Sequence, residues 1–136
     1  MLRESKATRI GEESRIVEFL KYRERLKKNK NVVTIVNHPC LEYWIFIHFE
    51  FSQKHFHDCK NVCRQLKLLL KDYEKSCKYF TRNNNDIYLR LKPKLKEAIA
   101  NTKKLKKFNY NNPAGPFTEM QLFFETSDLQ NNILTP

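Results

Sequence analysis

Glycine is nearly absent from this chain: Gly11 and Gly115 are the only two in 136 residues. Rossmann and P-loop phosphate cradles need several glycines in one tight turn, so both are excluded. Long apolar runs are missing too. None approaches the roughly 18 residues of a membrane-crossing helix, and the opening Met1-Leu2-Arg3-Glu4-Ser5-Lys6 is too polar for a secretion signal. A cytoplasmic, non-membrane protein is the expectation. Acid is scarce, with 15 Asp and Glu against 26 Lys and Arg, a formal net charge of +11. No two aspartates stand as Asp-x-Asp. Four cysteines at irregular spacing form no recognisable disulfide framework, and disulfides are not expected in a cytoplasmic chain. Wholesale disorder is disfavoured by a 40% hydrophobic and 12% aromatic content.

Periodicity reads mainly as helix. Residues 1–11 are expected as a flexible leader, 12–126 as a single domain and 127–136 as a tail. Ile16, Phe19, Leu20 and Leu26 keep helical spacing over 12–29. The β-branched run Val32-Val33-Thr34-Ile35-Val36 predicts a buried strand, which Asn37-His38-Pro39 ends. Pro39 suits the start of a helix over about 40–49, where Leu41, Trp44, Ile45 and His48 share a face. Asp58 is a candidate N-cap for a helix through Leu70 that buries Val62, Leu66, Leu69 and Leu70. Asn83-Asn84-Asn85-Asp86 marks a turn and another cap. The helix from Ile87 to Lys107 should kink or break near Lys92, because Pro93 lies inside it. Residues 109–116 read as a loop, and Thr118 to Phe124 as a short apolar helix. One lone strand leaves its ladder groups unpaired. Either a second strand lies in Tyr79 to Arg82, or the partner comes from elsewhere, which predicts marginal stability or self-association.

The densest signal is Asn37-His38-Pro39-Cys40-Leu41-Glu42-Tyr43-Trp44 with His48 and Phe49 beyond it. It puts a carboxylate, Glu42, in the first turn of an apolar helix just after an expected strand, where α/β folds place their chemistry. A first-turn Glu can also simply complement the helix dipole. The segment resembles the Asn-Pro-Cys-Phe-Glu-Leu-Trp motif of the RloB-like family of bacterial defence-associated proteins, in Asn37, Pro39, Cys40, Glu42, Trp44 and His48. Tyr73-Glu74-Lys75 resembles that family's Tyr-x-Lys, and Asn112-Pro113 with Thr118 its Asn-Pro-x-Thr turn. The resemblance covers roughly residues 16–130. It implies an α/β, helix-rich, partial Toprim-like fold, corresponding to the C-terminal half of the family pattern. It further implies a metal-dependent nuclease family of phage defence, with Glu42 as a catalytic acid and an ATPase as partner.

A complete member carries a Glu after its first strand and an Asp-x-Asp after a later one, upstream of the Asn-Pro segment. This sequence has neither. Phosphodiester cleavage on Mg²⁺ needs several oxygen ligands, and Glu42 alone cannot supply them. Mg²⁺ is therefore expected only in a complete member. The chain reads as a truncated relative or fragment, inactive as a nuclease by itself.

Three further readings come from the residues themselves. The excess of positive charge suits polyanions, and nucleic acid is the expected partner, with Lys92, Lys94, Lys96, Lys103, Lys104, Lys106 and Lys107 as the contact set. The bland alternative is a solvated lysine-rich helix face or a protein-docking module. His55, His57, Cys59 and Cys63 form an alternative zinc set, since Cys59 and Cys63 share a helical face. Cys40 at a helix start could be an activated thiol, but a structural cysteine behind a proline turn is the simpler reading.

Overall fold

Polar caps at three helices and a proline set several element boundaries in this helix-rich α/β chain. The computed structural model describes residues 2–53, 56 and 58–125, with side chains from Arg15 onward. The expected tail, 127–136, and the candidate ligands His55 and His57 lie outside them. The chain divides into two compact units, one of residues 1–34 and 108–114, the other of 35–107 and 115–136.

In the first unit, helix α1 spans Leu2–Lys27. It starts well before residue 12, so the segment expected as a leader is helical, in keeping with the lack of proline there. Its apolar spacing does not translate into burial: Phe19 and Leu26 are exposed. The second segment of this unit supplies an aromatic ledge. The Arg23 guanidinium lies 3.6 Å from the Tyr110 ring centre, and Phe108 meets that ring edge-on at 5.3 Å.

The second unit runs through β1 (Asn37–His38), α2 (Glu42–Phe46), α3 (Cys59–Leu69), α4 (Cys77–Phe80), α5 (Ile87–Leu91), a 3₁₀ turn (Lys92–Lys94), α6 (Leu95–Thr102), β2 (Phe117–Thr118) and α7 (Gln121–Phe124). The β-branched run 32–36 is not a strand. Valine and isoleucine favour an extended chain, but a strand also needs a partner edge. That edge begins only at Val36, whose carbonyl accepts from Glu119 N at 2.9 Å. β1 then pairs antiparallel with β2, Asn37 opposite Thr118 and His38 opposite Phe117. The segment expected as its partner, Tyr79 to Arg82, is not a strand: Tyr79 and Phe80 belong to helix α4, which the Ser76 hydroxyl caps by accepting from Tyr79 N at 3.2 Å. The ladder closes within the chain, which removes the unpaired strand as a ground for self-association.

Caps place α3 and α5 where the sequence indicates. Asp58 accepts from Asn61 N and Asp86 from Leu89 N, each at 2.8 Å. Pro93 breaks the long helix into α5, the 3₁₀ turn and α6. On α3, Val62 and Leu66 are fully buried, and Leu70 just beyond its end nearly so. Leu69 is exposed, contrary to its expected burial, because it sits about 60° round the helix from Leu66, on the margin of the buried arc. Tyr43 to Ile47 are buried throughout and pack with Phe56, Val62, Leu66, Tyr73 and Tyr79 into one aromatic-rich core. Asp72 accepts from Arg82 and Arg90 at 2.9 and 2.8 Å, tying α4 and α5 to the α3 exit. The Arg90 hydrogen bond, foremost, holds the Asp72 carboxyl below the usual carboxylate range. Among the described residues, no helix is long and apolar enough to cross a membrane.

Candidate functional site

Two motifs far apart in sequence meet at Glu42. The turn at Pro39 delivers Glu42 to the start of α2, where its side chain is buried against α3 and the Tyr73 segment. Tyr73 Oη donates to Glu42 Oε1 at 2.9 Å, and Lys75 Nζ lies 3.2 Å from the same oxygen. Tyr73 is buried while the Lys75 side chain is 68% exposed, so the carboxylate has one dry partner and one wet one. Burial, foremost, and the bond to Glu42 hold the Tyr73 hydroxyl above its ordinary range, so it stays a donor. A buried carboxylate needs such partners simply to be tolerated. Removing the dry one has a predictable cost. Tyr73→Phe leaves Glu42 short of a hydrogen bond and should lower stability by about 2 kcal/mol. Chemical denaturation reads this directly, and a change under about 0.5 kcal/mol would show that Lys75 and water suffice.

The other oxygen, Oε2, faces sulfur. Cys59 Sγ lies 3.7 Å from it. Cys59 is bonded to Cys40 as a disulfide, with 5.6 Å between their Cα atoms. That corrects the expectation of no disulfide: the Pro39 turn sets Cys40 against the first turn of α3, a proximity that spacing along the chain does not reveal. Cys40 is therefore not a free thiol in this state, and the activated-thiol reading does not apply to it. Cys63, one turn along α3, is free and half-buried, its sulfur 3.8 Å from that of Cys59. Burial first, then the neighbouring Glu42, push the Cys63 thiol up.

The donor set does not fit Mg²⁺. That ion takes hard oxygen ligands in an octahedron, whereas the one group of three or more potential ligands among the described residues is Cys40, Glu42 and Cys59.

The remaining motif residues serve the frame. Asn37 Oδ1 accepts from Thr118 Oγ1 at 2.6 Å, linking the first motif segment to the last across the β1–β2 pair. The His38–Pro39 peptide is cis, and His38 Nδ1 lies 2.8 Å from Gly115 O. Trp44 and His48 sit one turn apart, their rings edge-on at 4.6 Å. With Leu41, Leu91, Met120 and Phe124 they line an apolar cavity of about 210 Å³. Asn112 and Pro113 belong to the first unit, where Asn109 Oδ1 accepts from Asn111 N and Asn112 N.

The lysines cluster around α6. Lys96 and Lys103 are seven residues apart, two turns, and so share a side. Lys94 pairs with Glu97 at 3.8 Å, Lys92 lies 5.8 Å from the Tyr88 ring centre, and Lys104 donates to Asn101 Oδ1 at 3.2 Å. Lys96, Lys103, Lys106 and Lys107 are exposed, and among the described residues none of them has an ion-pair partner.

Comparison with known proteins gives a family match. No curated protein and no solved structure matches the chain. Residues 13–126 match the family profile described as RloB-like protein. This covers most of the chain and includes Asn37 to His48, Tyr73, Lys75 and Thr118, the segments that the fold brings to Glu42 and to the β1–β2 pair. The chain belongs to the RloB-like protein family.

Proposed function

We propose that this RloB-like chain serves phage defence as a nucleic-acid-binding protein and does not cut nucleic acid by itself. The observation that carries the reading is the lysine group around α6. Four exposed ammonium groups without acidic partners among the described residues, in a chain of net charge +11, gain free energy by displacing counterions from a phosphate backbone. Nothing in the group reads bases, so binding should be indifferent to sequence. The lack of cleavage rests on Glu42, a single carboxylate occupied by Tyr73 and Lys75 on one oxygen and faced by sulfur on the other. A second reading, docking to a protein such as the ATPase that the family resemblance suggests, is favoured by the apolar cavity beside Trp44.

The test is a paired binding and cleavage assay with Mg²⁺ or Mn²⁺, on single- and double-stranded DNA and RNA, beside Glu42→Ala. Retained binding with intact substrate is expected for both proteins. Cleavage by the wild type that disappears in Glu42→Ala would overturn the reading and make Glu42 catalytic.

A further inference from the structure

Cys40 and Glu42 lie at the entry to α2, and Cys59 and Cys63 one turn apart on α3; the donor atoms of Cys40, Glu42 and Cys59 gather together, and the Cys63 sulfur lies beside that of Cys59. We propose that, in the reduced chain, Cys40, Cys59, Cys63 and Glu42 form a tetrahedral Zn²⁺ site between the start of α2 and the first turns of α3. The inference is independent of nucleic-acid binding.

Distances between donor atoms carry the proposal. Around a tetrahedral Zn²⁺ with Zn–S near 2.3 Å and Zn–O near 2.0 Å, neighbouring sulfurs lie about 3.8 Å apart and a sulfur lies about 3.5 Å from an oxygen. Here Cys59 Sγ is 3.8 Å from Cys63 Sγ and 3.7 Å from Glu42 Oε2. The donor atoms of Cys40, Glu42 and Cys59 all fall within 4.8 Å of one another. Two edges of the coordination polyhedron are thus present before any ion is added.

The surroundings fit as well. Tyr73 and Lys75 both engage Oε1, which fixes the carboxylate and leaves Oε2 turned to the sulfurs. Such outer partners typically orient ligands at metal sites. Three thiolates and one carboxylate around Zn²⁺ leave a net charge of −2. The Lys75 ammonium, 3.9 Å from Cys59 Sγ, offsets part of it. Soft sulfur donors select zinc over Mg²⁺. The zinc set expected from sequence, His55, His57, Cys59 and Cys63, keeps its cysteines, while Cys40 and Glu42 supply the other two ligands.

The disulfide and the metal site exclude each other. Reduction of the Cys40–Cys59 bond by a dithiol takes two electrons and two protons, leaving two thiols and oxidised, cyclic reductant. Zinc then displaces the thiol protons to solvent. The fourth cysteine, Cys77, is exposed and serves as a control.

The experiment titrates Co²⁺ and then Zn²⁺ into the full chain, oxidised and dithiol-reduced, under anaerobic conditions. The reduced chain should take up one ion with the intense tetrahedral visible absorption and thiolate charge-transfer bands of Co²⁺, displaced by Zn²⁺. The oxidised chain should bind at least about a hundredfold more weakly. Cys63→Ser should cost about a hundredfold in affinity, and Glu42→Gln at least tenfold, as loss of a ligand does at least as much as loss of its outer partner. Cys77→Ser should change nothing. Absence of tetrahedral Co²⁺ in the reduced wild type would overturn the proposal without appeal to any variant. So would equal losses in Cys63→Ser and Cys77→Ser, since the ion would then sit on unspecific thiols.

Discussion

Reversing Lys96, Lys103, Lys106 and Lys107 to Glu should lower affinity for a single- or double-stranded oligonucleotide by at least about a hundredfold near 0.1 M salt. If each lysine neutralises one phosphate, the four together contribute a slope of roughly −3 to −4 in log K against log salt, and the variant should lose that share. Reversal adds repulsion on top of the lost attraction. The four are exposed and lack acidic partners among the described residues, so their replacement leaves the core and the ion pairs of Asp72 and Glu97 alone. Fluorescence anisotropy with labelled oligonucleotides measures the change, and thermal melting checks that the fold persists. Retained affinity would move the contact to another basic surface, such as the Lys21 to Lys30 cluster of the first unit.

Acid should destabilise the chain through His48. The imidazole is 1% exposed, its Nδ1 2.8 Å from the Trp44 carbonyl, which can only accept, so this nitrogen carries the proton of a neutral ring. Burial lowers its pKa from 6.5 to about 4, against a smaller opposing effect of the Trp44 carbonyl. The sign follows from linkage. The folded chain binds the proton less readily than the unfolded one, so stability is full above about pH 6.5 and is lost as pH falls towards 4. At pH 4 the loss amounts to about 3 kcal/mol. Urea midpoints for wild type and His48→Gln across pH 7 to 4 separate this from general carboxyl titration. The variant should begin less stable and lose about 3 kcal/mol less over the range. Parallel curves would mean that His48 is not the acid-labile group.

Local signals in the sequence were sound where chemistry acts over a few residues. Asp58 and Asp86 cap the helices that they mark, and Pro93 breaks the helix that contains it. The Glu42 and Tyr73-x-Lys75 motifs could be recognised separately, but their meeting could not, because a 31-residue separation says nothing about distance in space. The β1–β2 pair was hidden for a different reason. Two-residue strands show no alternation, while the conspicuous β-branched run before them lacks a partner edge. Its one legible trace was that Asn37 and Thr118 both lie in family motif segments, and these two side chains do bond. The zinc set legible in the sequence is His55, His57, Cys59 and Cys63, of which only the two cysteines enter the site proposed above. Cys40 and Glu42 come close to Cys59 because a proline turn folds back on α3, a tertiary event without a spacing signature.

Binding to nucleic acid through the phosphate backbone would show itself in a salt titration. The affinity of the wild-type chain for a mixed-sequence oligonucleotide would be measured from 50 to 200 mM KCl. A linear fall of log K with log salt is expected, with a loss of about a hundredfold over that interval, similar for unrelated sequences. Absence of binding at 50 mM, or affinity that holds steady to 200 mM, would contradict it.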